Sequence, residues 1–253
     1  MDILFLGTGA ADFNPALSMD VCFGLTDKSV RRSSAILING SILVDCGPHV
    51  YKSIMAMGAD VKKIKAIVLT HFHSDHFDME TLKNIVNDAG SVEVYYNKAA
   101  SFENVKGVIK KPLAVGESFT VLGVKFTPLN ANHTAHPFHY LIEEDGKSVF
   151  YATDGAWILY NTYYYLKNKN LSALIIDATV GDVIGDYRVA EHNSLPMIRL
   201  LTKSYKSFGI IGGDTKIYLT HIAVTLNPEY DKQVEIAKKD GFTVCYDGMK
   251  IKV

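Results

Sequence analysis

Three cysteines in 253 residues, Cys22, Cys46 and Cys245, are too few and too scattered for a disulfide framework or a thiolate-rich metal site. Proline is also scarce, at 7, and no low-complexity stretch interrupts the chain, which excludes a disordered or linker-dominated protein. No run approaches the roughly 18 consecutive apolar residues that suggest a membrane-spanning helix. The opening MDILFLGTG places no basic segment ahead of its short apolar run. The expectation is a protein that neither crosses a membrane nor leaves the cell through a signal peptide, and a reducing cytoplasm fits its cysteines. Excess charge is missing too: 26 Lys and Arg against 27 Asp and Glu exclude a domain-wide field for nucleic acid or anionic membrane. What is present is 48% hydrophobic residues, enough to bury a full core, so residues 1–253 are read as a single domain.

Short β-branched runs bounded by Gly, Asp or Pro recur at residues 3–6, 35–38, 42–44, 66–69, 92–95, 121–126, 140–142, 149–152, 174–176, 217–219 and 244–246, and read as strands. Helical patterns fall at residues 78–87, 157–167, 194–204 and 229–239. In the first half the strands mostly follow one another as hairpins, and the helices come late in each half, which favours sheets packed together with helices outside. Residues 67–72 (IVLTHF) are echoed by 217–222 (IYLTHI), and 42–47 (ILVDCG) by 149–155 (VFYATDG). In each, an apolar strand ends in a His or Asp, which hints at an internal duplication with halves of about 1–130 and 131–253. Residues 7–32 lack periodicity and read as a long loop.

The strongest signal is His71-Phe72-His73-Ser74-Asp75-His76, directly after the run IKAIVLT. In extended chain His71 and His73 point the same way, and Asp75 and His76 follow as the chain turns toward a helix. Imidazole and carboxylate suit Zn, Mn or Fe, and two adjacent ions need about seven ligands, so others must join from elsewhere. His133, Asp154 and His221, at strand ends or in loops beside them, are the candidates. A carboxylate such as Asp154 can bridge two ions roughly 3.5 to 4 Å apart with a hydroxide between them. His136 and His139 lie close enough to His133 to compete for its role.

These residues resemble the metallo-β-lactamase superfamily, with further local matches in LGTGAAD, RRSSAILI and ILVDCGP. The resemblance implies an α+β, four-layer αββα sandwich of two similar halves with two divalent metal ions, Zn or Mn and conceivably Fe, in the crevice. It assigns His71, His73 and His133 to one ion, Asp75, His76 and His221 to the other, and Asp154 as the bridge, which makes Asp75 and Asp154 catalytic as well as ligating. Within the superfamily the chain is similar to the cyclic phosphodiesterase of the carbon-phosphorus lyase pathway and its relatives, which carry a His ahead of a helix as in EHNSLPMIRLL. That resemblance makes His192 a catalytic group beside the metals, a proton donor to a leaving oxygen or a support for a phosphoryl oxygen. The family usually has Gly at positions 139 and 191, so His139 and Glu191 are departures that bear on substrate fit.

The reading that follows is a dinuclear metal-dependent hydrolase, a phosphodiesterase acting on a small, conceivably cyclic substrate. The alternatives are hydrolysis of a lactone, thioester or lactam by the same ions, RNA 3'-end processing, and a binding member without turnover. No basic run exceeds two residues and no arm is inserted, so nucleic acid is not an expected partner, while a homodimer remains open. Asp45 is a candidate to orient a metal-bound His, and Arg31 and Arg32 are candidates to fork onto phosphate oxygens. Trp157, Tyr160, Tyr163, Tyr164 and Tyr165 read as core packing or as a wall for an aromatic substrate group. Gly7-Thr8-Gly9 reads as a turn, and His49 as structural.

Overall fold

The computed structural model describes residues 1–12, 25–134 and 136–253, so Cys22 and residues 13–24 of the loop expected over residues 7–32 lie outside the described residues. Strands β1 (Asp2–Gly7), β2 (Ala35–Ile38), β3 (Ile42–Val44), β4 (Ala66–Val68), β5 (Val92–Asn97) and β6 (Val108–Leu113) form one sheet. The late strand β14 (Lys250–Lys252) joins it beside β1. The second sheet runs β13 (Thr243–Val244), β12 (Ile211–Thr220), β11 (Leu171–Asp177), β10 (Lys147–Ala152), β9 (Phe138–Glu144), β8 (Val124–Asn130) and β7 (Phe119–Val121). Helices α1 (Val50–Ala56) and α2 (Met79–Ala89) pack on the first sheet. Helices α3 (Tyr160–Leu166), α4 (Leu195–Ser207) and α5 (Tyr230–Lys238) cover the second. The result is an αββα sandwich.

The alternation of side chains along each strand sets these layers. Val149 and Tyr151 of β10, with Ala173 and Ile175 of β11, enter the core between the sheets. Their neighbours Phe150, Ala152, Leu174 and Ile176 face α3, α4 and α5. In the first sheet Ile36, Ile38, Ile42 and Val44 point to the central core, while Leu37, Leu43 and Ile67 meet α1 and α2. Both faces are buried, which is why these strands read as continuous apolar runs.

The expectation that the first-half strands mostly pair as hairpins requires correction. β1, β2 and β3 pair antiparallel, but β3–β4, β4–β5 and β5–β6 are parallel, with α1 and α2 in two of the crossovers. The run at residues 121–126 is also two strands, because Leu122 and Gly123 take positive φ (49° and 84°) and close a two-residue hairpin between β7 and β8. Helix α3 starts at Tyr160 rather than near Trp157, whose own φ of 41° is not helical. No helix among the described residues is long and apolar enough to cross a membrane.

Candidate metal centre

Four strands deliver acidic or imidazole groups to one end of the sandwich: Asp45 follows β3, Asp154 follows β10, Asp177 ends β11 and His221 follows β12. Asp45, Asp154 and His221 share a left-handed backbone (φ 66°, 56° and 54°), uncommon for residues other than Gly. Each strand thus ends on a sharp turn that aims a polar side chain into the crevice, a local strain of the kind that concentrates at functional sites.

The run from His71 to His76 forms the loop between β4 and α2. Phe72 and Phe77 pack edge to face (centroids 4.8 Å apart) and against Phe102, which pins one side of the loop in an aromatic cluster. His71 and His73, on the alternate positions, turn into the crevice with rings 4.5 Å apart. The far side of the loop is tied to the strand-end segment: Cys46 N–H donates to the His76 carbonyl (2.7 Å) and Asp78 N–H to the Cys46 carbonyl (2.8 Å). Gly47 is required here, because a Cβ at that position would lie 2.0 Å from the Asp75 carbonyl oxygen. Asp78 then caps α2 by accepting from Thr81 N–H at 2.7 Å.

The crevice contains three overlapping sets of ligand-type atoms, each set within 4.8 Å of one another: His71, His73, His133 and Asp154; Asp75, His76, Asp154 and His221; and Asp154, Asp177, His192 and His221. Asp154 is common to all three. Its Oδ2 lies 3.0 Å from His71 Nε2 and 3.2 Å from His76 Nε2, and its Oδ1 lies 3.4 Å from His133 Nε2 and 3.2 Å from His192 Nδ1. Asp75 Oδ2 stands 3.3 Å from His76 Nε2 and 3.5 Å from His221 Nε2.

A surrounding layer of hydrogen bonds orients the imidazoles. His76 Nδ1–H donates to Asp45 Oδ2 at 2.8 Å. Thr179 Oγ1 donates its single proton to the His221 carbonyl (2.7 Å), so it accepts from His221 Nδ1 at 2.8 Å. Thr70 Oγ1 is likewise committed to Asp45 and accepts from His71 Nδ1 at 3.0 Å. In all three rings Nδ1 carries the second-layer bond and Nε2 faces the crevice, the usual arrangement for a metal-ligating imidazole. His76 and His221 thereby bring their Nε2 atoms to 3.2 Å, and His73 Nδ1 meets His133 Nε2 at 3.1 Å. Convergent nitrogen and carboxylate donors at such spacing match what a divalent cation requires.

The electrostatics agree. Burial alone would raise the Asp154 carboxyl, but His221, His71 and His76 more than offset it and hold it well below the ordinary range. Burial opposes charge on His76, yet Asp75, Asp45 and Asp154 push it well above its usual value. The pocket favours positive charge at its centre.

Sequence reasoning overlooked several neighbours. Asp177, completely buried, accepts from His192 Nδ1 at 3.0 Å and from the backbone N–H groups of Thr179 (3.0 Å) and Asn193 (3.1 Å). Its one sequence signal is shared with Asp45 and Asp154, an Asp closing an apolar run, here LIID. Against burial, Asp177 and Asp154 raise the His192 pKa to about 9. Ser194 caps α4 immediately after His192, accepting from Met197 N–H at 3.4 Å, which fixes where the helix begins.

Other expectations are corrected. Arg31 and Arg32 do not reach the crevice: Arg31 donates to Thr8, the Cys245 carbonyl and Gln233 (2.7, 2.7 and 2.9 Å), and Arg32 pairs with Asp247 at 3.2 Å, all in the interior. His139 belongs to none of the three sets. It packs edge-on against Phe150 and fills the space that a Cβ on Gly155 would take, 2.7 Å from its Nε2, and burial lowers its pKa to about 4. His136 is likewise outside the sets, and its carbonyl accepts from Asn97 Nδ2. Tyr163 packs on Tyr205 and Phe208, while Tyr160 and Tyr164 are exposed, so none of the three walls the crevice.

A cavity of about 300 Å³ opens over this cluster. Fold and site together define a member of the β-lactamase superfamily, and the chain belongs to it: residues 41–182 match the β-lactamase superfamily domain. Among curated relatives it is 31% identical over 102 residues to a UPF0173 metal-dependent hydrolase of Methanoculleus marisnigri, a match covering 36% of this chain and 43% of that protein. Among solved structures it is similar to a new diphosphatase from the PhnP family (TM-score 0.73, 21% identity, 99% of this chain and 96% of that one). It is also similar to Zn²⁺-bound PqqB from Methylobacterium extorquens (TM-score 0.75, 19% identity, all of both chains). At these identities the structural likeness defines the fold.

Proposed function

We propose that the chain is a metal-dependent hydrolase that cleaves a small phosphodiester, with His71, His73 and His133 holding one divalent ion, Asp75, His76 and His221 a second, and Asp154 shared between them. The observation that carries the metal assignment is the common orientation of His71, His76 and His221, each held through Nδ1 with Nε2 toward Asp154. Bound there, divalent ions supply Lewis acidity and a water that ionises near neutral pH. The names of two similar proteins, a metal-dependent hydrolase and a diphosphatase, support metal-dependent hydrolysis and chemistry at phosphorus.

The choice of phosphorus over a carbonyl carbon rests on His192. Its Nδ1 is committed to Asp177, and the ring lines the same cavity as His73, His133 and Asp154. With Nδ1–H given to Asp177, the protonated imidazole presents Nε2–H to a departing alkoxide, whose expulsion is the demanding part of diester cleavage. Asn193 Nδ2 donates to the Gly155 carbonyl (2.9 Å) and its Oδ1 accepts from Trp157 N–H (3.0 Å), so the His192 segment is locked to the turn that carries Asp154.

The test is a substrate panel. Metal-loaded protein is assayed on a chromogenic phosphodiester, a lactone and a thioester, with His192→Ala beside the parent. The proposal expects turnover of the phosphodiester and a loss of roughly 10²-fold or more in His192→Ala. Turnover confined to the lactone or thioester, insensitive to His192, contradicts it.

A further inference from the structure

The turn that carries Asp154 has one contact that neither metal ligation nor proton transfer requires. Gly155 follows Asp154, and its polar groups are both committed: its N–H donates to Asp177 Oδ2 at 3.4 Å, and its carbonyl accepts from Asn193 Nδ2 at 2.9 Å. The next N–H, of Ala156, donates to the Asn132 carbonyl at 3.2 Å, beside His133. These bonds join the turn to the segments of His133 and His192. The remaining side of Gly155, where a side chain would stand, faces the imidazole of His139.

That contact follows from strand register. His139 lies on β9 opposite Leu129 of β8, and its neighbours Phe138 and Tyr140 turn into the central core. Alternation sends His139 to the other face, where it is 1% exposed and meets Phe150 edge-on, with centroids 5.7 Å apart. A Cβ on Gly155 would stand 2.7 Å from its Nε2 and 2.9 Å from its Cε1, while the next atom, Asn132 N, is at an ordinary 3.7 Å. Gly155 lies outside the left-handed region, so alanine suits its backbone and the ring alone excludes a side chain. Burial keeps that ring neutral at neutral pH, so it acts through its shape. Asp154, by contrast, holds a left-handed φ of 56°, which persists only where its surroundings enforce it. Close-packed interiors transmit a displacement, so a shift at Gly155 is a shift at Asp154.

We propose that His139 is a positioning residue for the metal centre: its ring is the stop behind the Asp154–Gly155 turn, and it sets where the shared carboxylate stands between His71, His73 and His133 on one side and Asp75, His76 and His221 on the other. It touches neither ion nor substrate. This rests on the reading of Asp154 as the shared ligand and not on which bond is cut. The pair is reciprocal, since the ring needs the missing Cβ of Gly155 and the turn needs the ring.

The test is a double-mutant cycle of the parent, His139→Ala, Gly155→Ala and the double variant, each stripped of metal and titrated with Co²⁺ against a calibrated chelator. Affinity and the visible absorption of bound Co²⁺ report the metal centre, and thermal unfolding of the stripped protein reports the core. Gly155→Ala is expected to lose about tenfold or more in affinity and to alter the spectrum, because its methyl group meets the ring and pushes the turn. In the His139→Ala background the same methyl group enters the space the ring has left, so it lowers affinity little further. His139→Ala alone also weakens binding and alters the spectrum, whereas His139→Gln, close to His in volume, keeps most of the parent affinity. If Gly155→Ala lowers affinity equally in both backgrounds, the ring is not the stop. If His139→Ala lowers the unfolding temperature but leaves Co²⁺ affinity and spectrum unchanged, His139 only fills the core and the proposal fails. Both of those results leave the metal reading standing, whereas a parent that binds no Co²⁺ overturns Asp154 as a shared ligand and this inference with it.

Discussion

The Asp45 carboxylate accepts the Nδ1–H of His76 at 2.8 Å, and its other oxygen takes both the N–H and the hydroxyl of Thr70, at 2.7 and 2.9 Å. One buried carboxylate, at a left-handed turn after β3, thus fixes the ring of His76 directly and that of His71 through the Thr70 hydroxyl. Neither contact touches substrate. Asp45→Ala is expected to leave the fold recognisable by circular dichroism and to weaken metal binding by about 10- to 100-fold. Competition with a calibrated chelator measures this directly, and unchanged affinity would contradict the orienting role.

Asp177 sets the tautomer of His192 in the same manner. Asp177→Asn can present an amide N–H toward Nδ1, which leaves Nδ1 unprotonated and favours a neutral ring whose remaining Nε2–H is a far weaker acid than that of the imidazolium. The expected consequence depends on the leaving group. Cleavage of an alkyl ester, which needs the proton, falls by about 10²-fold or more, while release of p-nitrophenolate, a good leaving group, falls much less. Equal losses for both would point to simple damage of the site.

His49 offers a pH test away from the cluster. It accepts a hydrogen bond from Ser33 N–H at 3.2 Å through Nδ1, and burial, Arg32 and Lys52 lower its pKa to about 4. The unfolded chain, with a His near 6.5, binds this proton more readily than the folded one. The contribution of His49 to stability is therefore complete above about pH 6.5 and is lost progressively as pH falls toward 4. Urea unfolding across that window is expected to show a decline that is shallower in His49→Gln. Identical slopes in the two proteins would show that His49 does not titrate there.

The strands of the interior were readable because burial on both faces leaves uninterrupted β-branched runs such as ILV at residues 42–44 and LIID at 174–177. The edges were not. β6 carries two lysines and a proline in VIKKPL, and β14 is Lys-Ile-Lys, sequences suited to edge strands and poor in apolar pattern. Helix α1, VYKSIMA, has only two turns and no side-chain cap, so nothing in its residues announced it. In the crevice, HFHSDH named itself because four ligating residue types crowd one loop. Asp177 and Thr179 were hidden for the opposite reason: each is a common residue whose meaning comes from what another strand or turn places beside it. Arg31 and Arg32 show the same limit, since their sequence suits an anion site while their partners, Asp247 and Gln233, lie 202 or more residues away.

The central claim is that the cluster holds two divalent ions shared through Asp154 and that they are needed for phosphodiester cleavage. The most direct measurement is a titration of metal-stripped protein with Zn²⁺ or Mn²⁺, following bound metal per chain and turnover of a chromogenic phosphodiester together. The account predicts two ions per chain, turnover that rises as they fill, and loss of both high-affinity binding and turnover in Asp154→Asn. Full turnover in the stripped protein, or two ions bound with no phosphodiester cleaved, would contradict it.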